Sequence, residues 1–220
     1  VKSKGITWDQ ACDRRLARQF LANPAPANTP VADIVAAMRG AHAQVMSAAE
    51  LSVGVRATGV TRADVRAALW EERSLIKTYG PRGTVHLLDI RELPLQELWP
   101  RRRTVLHLAG QSGAVCCRHL HAYGPAAPRQ FAKWLAAVAG DTEFPEGPVR
   151  GVRLLPYFDA YGIAAQPREL LFPGRARERA PARGQAGNYP LLLVDGVVAG
   201  CGTSGARDGA RRSRWSRWGG

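Results

Sequence analysis

An imidazole and a carboxamide two positions apart, His42 and Gln44 with Ala43 between them, are the residues of this 220-residue chain best placed to do chemistry. A carboxamide accepts from and donates to one water at once, and an imidazole orients that water or takes its proton near neutral pH. Side chains at i and i+2 diverge on a regular helix but converge where the backbone bends, and Gly40 just ahead supplies a bend. Taken alone, His42 reads as a partly buried histidine at a helix start and Gln44 as a solvated polar residue, because so short a motif recurs by chance.

Other constellations carry less. His107, His119, His121 and the adjacent Cys116 and Cys117 have no standard zinc spacing, so no metal is expected. Asp159, in the run Tyr157-Phe158-Asp159-Ala160-Tyr161, has the type of a catalytic carboxylate, but a structural Asp at a strand end is the stronger reading. Gly80-Pro81-Arg82-Gly83 lacks the Gly-Lys-Ser/Thr of a nucleotide-binding loop. Trp8, Trp70 and Trp134 fit core faces, and no cofactor is called for.

The elements that must position His42 and Gln44 follow from periodicity and capping. Trp8 to Ala22 reads as an amphipathic helix ended by Asn23-Pro24. Thr29 and Pro30 open a second helix through Ile34, Val35 and Met38 that Gly40 interrupts. A third helix covers Gln44 to Arg56, with Val45, Ala48, Leu51 and Val55 as its apolar face. Gly59 closes it, and Thr61 with Asp64 forms a capping box for a fourth helix to about Glu72. Strands at 75–78 and 84–88 flank the Gly80–Gly83 turn, which carries Arg82 at its tip. The order helix, helix, helix, strand, turn, strand predicts a winged helix, a module that lies against DNA. Arg62 and Arg66 on the helix offered to the groove, and Lys77, Arg82 and Thr84 on the wing, are the candidate DNA-binding residues. His86 alternates with Val85 and Leu87 and is given no catalytic role.

Bulk composition agrees. A net charge of +13 and a pI near 10.6 suit a polyanionic partner, bound largely by counterion release. No run of eighteen apolar residues offers a membrane span, and the basic N-terminus lacks the apolar stretch of a secretory signal. Four cysteines without CxxC spacing suggest reduced thiols and a cytoplasmic, nucleoid-associated bacterial protein. No protein partner is evident, and a monomer is expected.

The predicted fold class is α+β: a winged-helix domain with a three-helix helix-turn-helix core and a hairpin wing, then a partial second α/β unit with C-terminal strands. Residues 1–90 form the first domain and carry the candidate site. Residues 91–122 hold Arg101-Arg102-Arg103 but no sustained period, and read as an internal deletion scar. Residues 123–200 read as a remnant second unit, with a helix over 128–139, a linker at 141–148, strands at 151–158 and 189–199, and a basic loop at 173–187; the later strands fold back through an Asp195-Gly196 turn. Residues 201–220 hold five arginines and one aspartate with no aliphatic residue larger than alanine, and are expected to be a disordered basic tail.

Three blocks together resemble the winged-helix DNA glycosylases of the AlkZ/YcaQ type: Ile6 to Leu88, including GAHAQVMSAAELSVGVR; HAYGPAAPRQFAKWL; and LLPYFDAYGIAAQPRELLFPG followed by NYPLLLVDGVVAG. The resemblance implies tandem winged helices forming a basic concave surface around duplex DNA. It also implies excision of bulky alkylated purines, and of some interstrand crosslinks, by cutting the N-glycosidic bond without metal or cofactor. The double-stranded DNA partner would be alkylated or crosslinked. The family's motif is Gln-apolar-Gln or Gln-apolar-Asp ahead of the second helix; here it falls on His42, Ala43 and Gln44, a His-x-Gln variant that bears on substrate range more than on reaction type. The resemblance is expected to break over 90–120 and near 140–150 and to stop after Gly200, as in a shortened relative with an out-of-frame tail. The alternative function is a non-enzymatic, regulatory DNA-binding protein or an inactive truncated homologue.

Overall fold

In the computed structural model the described residues are 7–79, 84–92, 145–164, 167–174, 176, 189–207 and 210–217. The predicted Arg82 tip, the 128–139 helix, Trp134, the 91–122 segment beyond Glu92, and the His107/Cys116/Cys117/His119/His121 group lie outside them.

Helix α1 (Trp8–Arg18) starts on a capping box in which Thr7 and Gln10 exchange side-chain to backbone hydrogen bonds. Asp9 in its first turn and Arg15 and Arg18 in its last complement the helix dipole. It ends in a Schellman motif: Phe20 takes φ 55° while Leu21 N donates to Leu16 O at 2.8 Å. Helix α2 (Val31–Ala37) ends the same way, with Arg39 at φ 58° and Gly40 N donating to Val35 O at 3.0 Å. Gly40 is itself at φ 101°, and a Cβ there would stand 2.6 Å from Leu88 Cδ2. The bend expected at Gly40 is therefore a two-residue reversal.

That reversal delivers strand β1 (Ala41–His42), then helices α3 (Met46–Gly54) and α4 (Arg62–Trp70), strand β2 (Leu75–Tyr79) and strand β3 (Val85–Asp89). The sheet order is β1-β3-β2, all antiparallel, with His42 opposite His86 and Thr78 opposite His86 on the other side. The predicted Thr61–Asp64 capping box opens α4, with Thr61 N donating to Asp64 Oδ2 at 2.7 Å. Ile34, Val35, Met38, Ala49, Val53, Val65, Ala68, Leu69, Leu75 and Leu87 fill the core between helices and sheet.

Two predicted faces need correction. On α3 the expected stripe of Val45, Leu51 and Val55 is exposed, and Ala48, Ala49, Glu50, Ser52 and Val53 are buried instead. Helical hydrophobicity is misleading here because the inward face carries polar groups paired with other elements. Trp70 is 69% exposed rather than in the core, since Val65, Ala68 and Leu69 define the inner side of α4 and Trp70 lies one position beyond.

The described residues between 145 and 217 build a second sheet of order β4-β5-β6-β7, from β4 (Val152–Leu155), β5 (Leu191–Val194), β6 (Val197–Arg207) and β7 (Ala210–Arg217), with short helices α5 (Ala160–Ala164) and α6 (Arg168–Leu171) between β4 and β5. The Asp195-Gly196 turn joins β5 to β6 with φ 51° and 81°, the positive pair of a type I′ hairpin. Within the tail expected to be disordered, the described residues 201–207 and 210–217 form a strand pair, with Cys201 opposite Ser216 and Arg207 opposite Ala210. A ladder is made by backbone groups, and these form without an apolar period in the side chains.

Candidate active site on β1 and the turn at residues 156–159

His42 is only 8% exposed because β1 is enclosed by β3 on one side and by the turn after β4 on the other. Its imidazole stacks on the Phe158 ring, centroids 4.7 Å apart at 21°, and meets His86 edge-on at 5.2 Å and 76°. Both geometries are ones aromatic rings favour. Nδ1 of His42 is buried without a hydrogen-bond partner. Burial lowers the pKa of His42 below the usual histidine value, so the ring is neutral at pH 7. Nδ1 of His86 lies 2.8 Å from the Thr84 carbonyl; a carbonyl only accepts, so the proton of that ring nitrogen is fixed there.

Phe158 comes to His42 in a left-handed conformation, φ 60°, which is uncommon for a residue other than glycine. Its neighbour Asp159 is held on every side. Arg56 Nη1 and Nη2 donate to Asp159 Oδ2 and Oδ1, each at 2.7 Å, Ser52 Oγ donates to Oδ2 at 2.9 Å, and Tyr161 N donates to Oδ1 at 2.9 Å. Both charged side chains are fully buried. Asp159 is thus committed to an ion pair rather than left free, although it stands just ahead of α5 and not at a strand end as expected. Tyr157 stands edge-on to Phe158 at 5.4 Å, and its hydroxyl is 3.4 Å from Ser47 Oγ at the start of α3.

The sequence-predicted pair is not placed as expected. His42 lies in a strand and is buried, whereas Gln44, beyond buried Ala43, is exposed ahead of α3. No hydrogen bond joins them among the described residues. The His86 and Phe158 rings, not Gln44, are the groups that β1 brings against His42.

The candidate DNA contacts fall on two elements. Arg62 and Arg66 project from α4, 61% and 55% exposed, with their Nε atoms 2.9 and 2.8 Å from the carboxylate oxygens of buried Glu50 on α3. Lys77 is exposed on β2, and Thr84 is half-buried just ahead of β3. Sequence reasoning gave no site role to Phe158, Tyr157 or His86 and did not single out Ser47, Arg56 or Glu50. The one usable signal was the aromatic pair beside Asp159 in a segment otherwise read as strand. Among the described residues no three His, Cys, Asp or Glu side chains gather as a metal site would require, and no helix is long and apolar enough to cross a membrane.

The fold is that of a solved relative: the structure of the Streptomyces sahachiroi DNA glycosylase AlkZ superposes with a TM-score of 0.69, covering 91% of this chain and 88% of that one at 20% identity. An interstrand DNA cross-link repair glycosylase of Streptomyces sahachiroi is 41% identical over 83 residues. That alignment takes in 37% of this chain and 21% of the relative's length. A family model described as DNA glycosylase AlkZ-like matches residues 35–114 and 135–218, well over half of the chain. The match runs through 91–114, skips 115–134 and continues past Gly200 to 218, so the expected break over 90–120 is met only in part and the resemblance does not stop at Gly200. On this match and the shared architecture, the chain belongs to the AlkZ-like DNA glycosylase family.

Proposed function

We propose that this protein is a monofunctional DNA glycosylase that hydrolyses the N-glycosidic bond of bulky alkylated or crosslinked purines in double-stranded DNA. The observation that carries the reading is the buried, ring-enclosed His42 on the strand that leads to exposed Gln44 and the start of α3. Alkylation at N7 or N3 makes the base cationic, so the C1′–N bond breaks with its electron pair neutralising the departing purine. What remains for the protein is to stabilise an oxocarbenium-like sugar and supply water to C1′. Gln44 holds the water at the exposed end of this segment. The water itself must bridge inward to His42, which is not bonded to Gln44, for the imidazole to accept its proton as the new C–O bond forms.

The order α2-β1-α3-α4-β2-β3 reads as a winged helix, with α4 offered to DNA and the β2–β3 hairpin as the wing. Arg62, Arg66, Lys77, Arg82 and Thr84 then meet the phosphate backbone, helped by the net charge of +13. No metal or cofactor is assigned to the reaction, and the working unit is a monomer.

The test is incubation of the protein with a duplex bearing N7-alkylguanine or a nitrogen-mustard crosslink, followed by alkaline cleavage at abasic sites. Strand breaks that vanish in His42→Ala and Gln44→Ala while binding persists are the expected result. The burial of His42 beside an exposed, unjoined Gln44 favours one other reading, a DNA-binding protein without excision. Tight duplex binding with no abasic sites would establish that reading instead.

A further inference from the structure

We propose that Arg56 and Asp159 are positioning residues that hold Phe158 against His42, so that the site is completed by a turn from the C-terminal part of the chain. The inference rests on the glycosylase reading for its functional meaning, and on geometry for its substance.

Four observations converge. Asp159 accepts four hydrogen bonds, two from Arg56, one from Ser52 and one from the backbone of Tyr161, which leaves its carboxylate no freedom to move. Arg56 is in turn fixed to α3, where its Nη1 donates to the Ser52 carbonyl at 2.8 Å. Phe158, the adjacent residue, has a φ of 60° that costs free energy and persists only where its surroundings over-determine it. Its ring lies flat on His42 and not in the main core. A salt bridge between groups so far apart in sequence, buried at both ends, does not arise as a by-product of surface charge.

The consequence is chemical. A ring laid over the imidazole excludes water from one face of His42 and fixes the plane in which its nitrogens point. Among the described residues, the titratable group in contact with His42 is His86 on β3. Tyr157 stands behind Phe158, and Asp159 is turned into its ion pair. Removing the ring therefore changes the solvation of His42 without removing a charge from its side.

The experiment uses the full chain, isotope-labelled, with the His42 Cε1–H resonance identified by its absence in His42→Gln. Its titration midpoint is followed in Phe158→Leu, in Arg56→Lys and in the double variant Arg56→Met/Asp159→Leu. Single-turnover excision and duplex affinity are measured on an N7-methylguanine oligonucleotide. Phe158→Leu and the double variant are expected to move the midpoint upward toward the ordinary histidine value and to slow excision by about 10–100-fold, with affinity for the duplex retained. Arg56→Lys, which keeps the buried charges balanced but loses the two-pronged grip, is expected to fall between. Should the double variant fail to fold, Phe158→Leu and Arg56→Lys still decide. An unchanged His42 midpoint in the folded variants overturns the inference. A parent protein that excises nothing, yet shows the predicted midpoint shifts, overturns the glycosylase reading and leaves the positioning role standing.

Discussion

Arg56 and Asp159, 103 residues apart, meet through two 2.7 Å hydrogen bonds with both side chains withdrawn from solvent. Desolvating two charges is costly, and in such a pair the attraction roughly offsets that cost. Taking away one partner leaves the other buried and unpaired. Asp159→Ala is thus expected to lower stability by about 3–5 kcal/mol, whereas Arg56→Met/Asp159→Leu together stay near the parent. Urea unfolding midpoints at constant slope measure both.

The Asp195-Gly196 turn packs directly on α1. A Cβ at Gly196 would lie 2.8 Å from Cys12 Cβ and 3.2 Å from Leu16 Cδ1, and φ is already 81°. The Gly196 carbonyl also accepts from Tyr161 Oη at 2.8 Å. Gly196→Ala should destabilise by about 1–3 kcal/mol, read as a lower thermal midpoint. An unchanged midpoint would mean that α1 shifts away without cost.

His42 gives a pH dependence with a definite sign. Its folded pKa is depressed by burial, so below about 6.5 the unfolded chain binds the proton first. This histidine's contribution to stability is complete above the unfolded value and is lost as pH falls through that value and toward the folded one. Excision that needs the neutral ring follows the folded value, and holds to a lower pH than an exposed histidine would allow. A rate profile that falls at the ordinary histidine pKa would contradict this.

Cys12 is pushed up to about 11, chiefly by burial. The thiolate is the reactive form, so Cys12 should resist iodoacetamide at pH 8 in the native protein and react at once in denaturant. Peptide mapping by mass spectrometry distinguishes it from the other three cysteines.

Arg62 shares buried Glu50 with Arg66, so Arg62→Ala leaves that carboxylate still held. If Arg62 meets a phosphate, the slope of log affinity against log salt should become shallower by about 0.9. An unaltered slope would place the arginine off the DNA.

How much of this was legible in the chain depends on where the signal resided. The Thr61–Asp64 box and the Asp195-Gly196 turn are local chemistry, and both stand where the residues put them. Strand β1 has two residues and exists only because β3 pairs with it, so nothing near His42 announces it. The inward face of α3 carries Ser52, and Arg56 follows just past its C-cap; hydrophobic periodicity assigns both polar groups to solvent, and their partner Asp159 lies far along the chain. Phe158 contradicts its own local preference for negative φ, and that conflict is visible only in the fold. Residues 210–217 pair through backbone groups that no apolar pattern marks.

The residues that close over His42 are made late. A ribosome adds roughly 5–20 residues each second, so helices α1–α4 and the first sheet are synthesised several seconds before Tyr157, Phe158 and Asp159 exist. During that interval His42 is bathed in water on the side Phe158 will cover. The first sheet can therefore close around one side of His42 before the ring that covers its other side has been made.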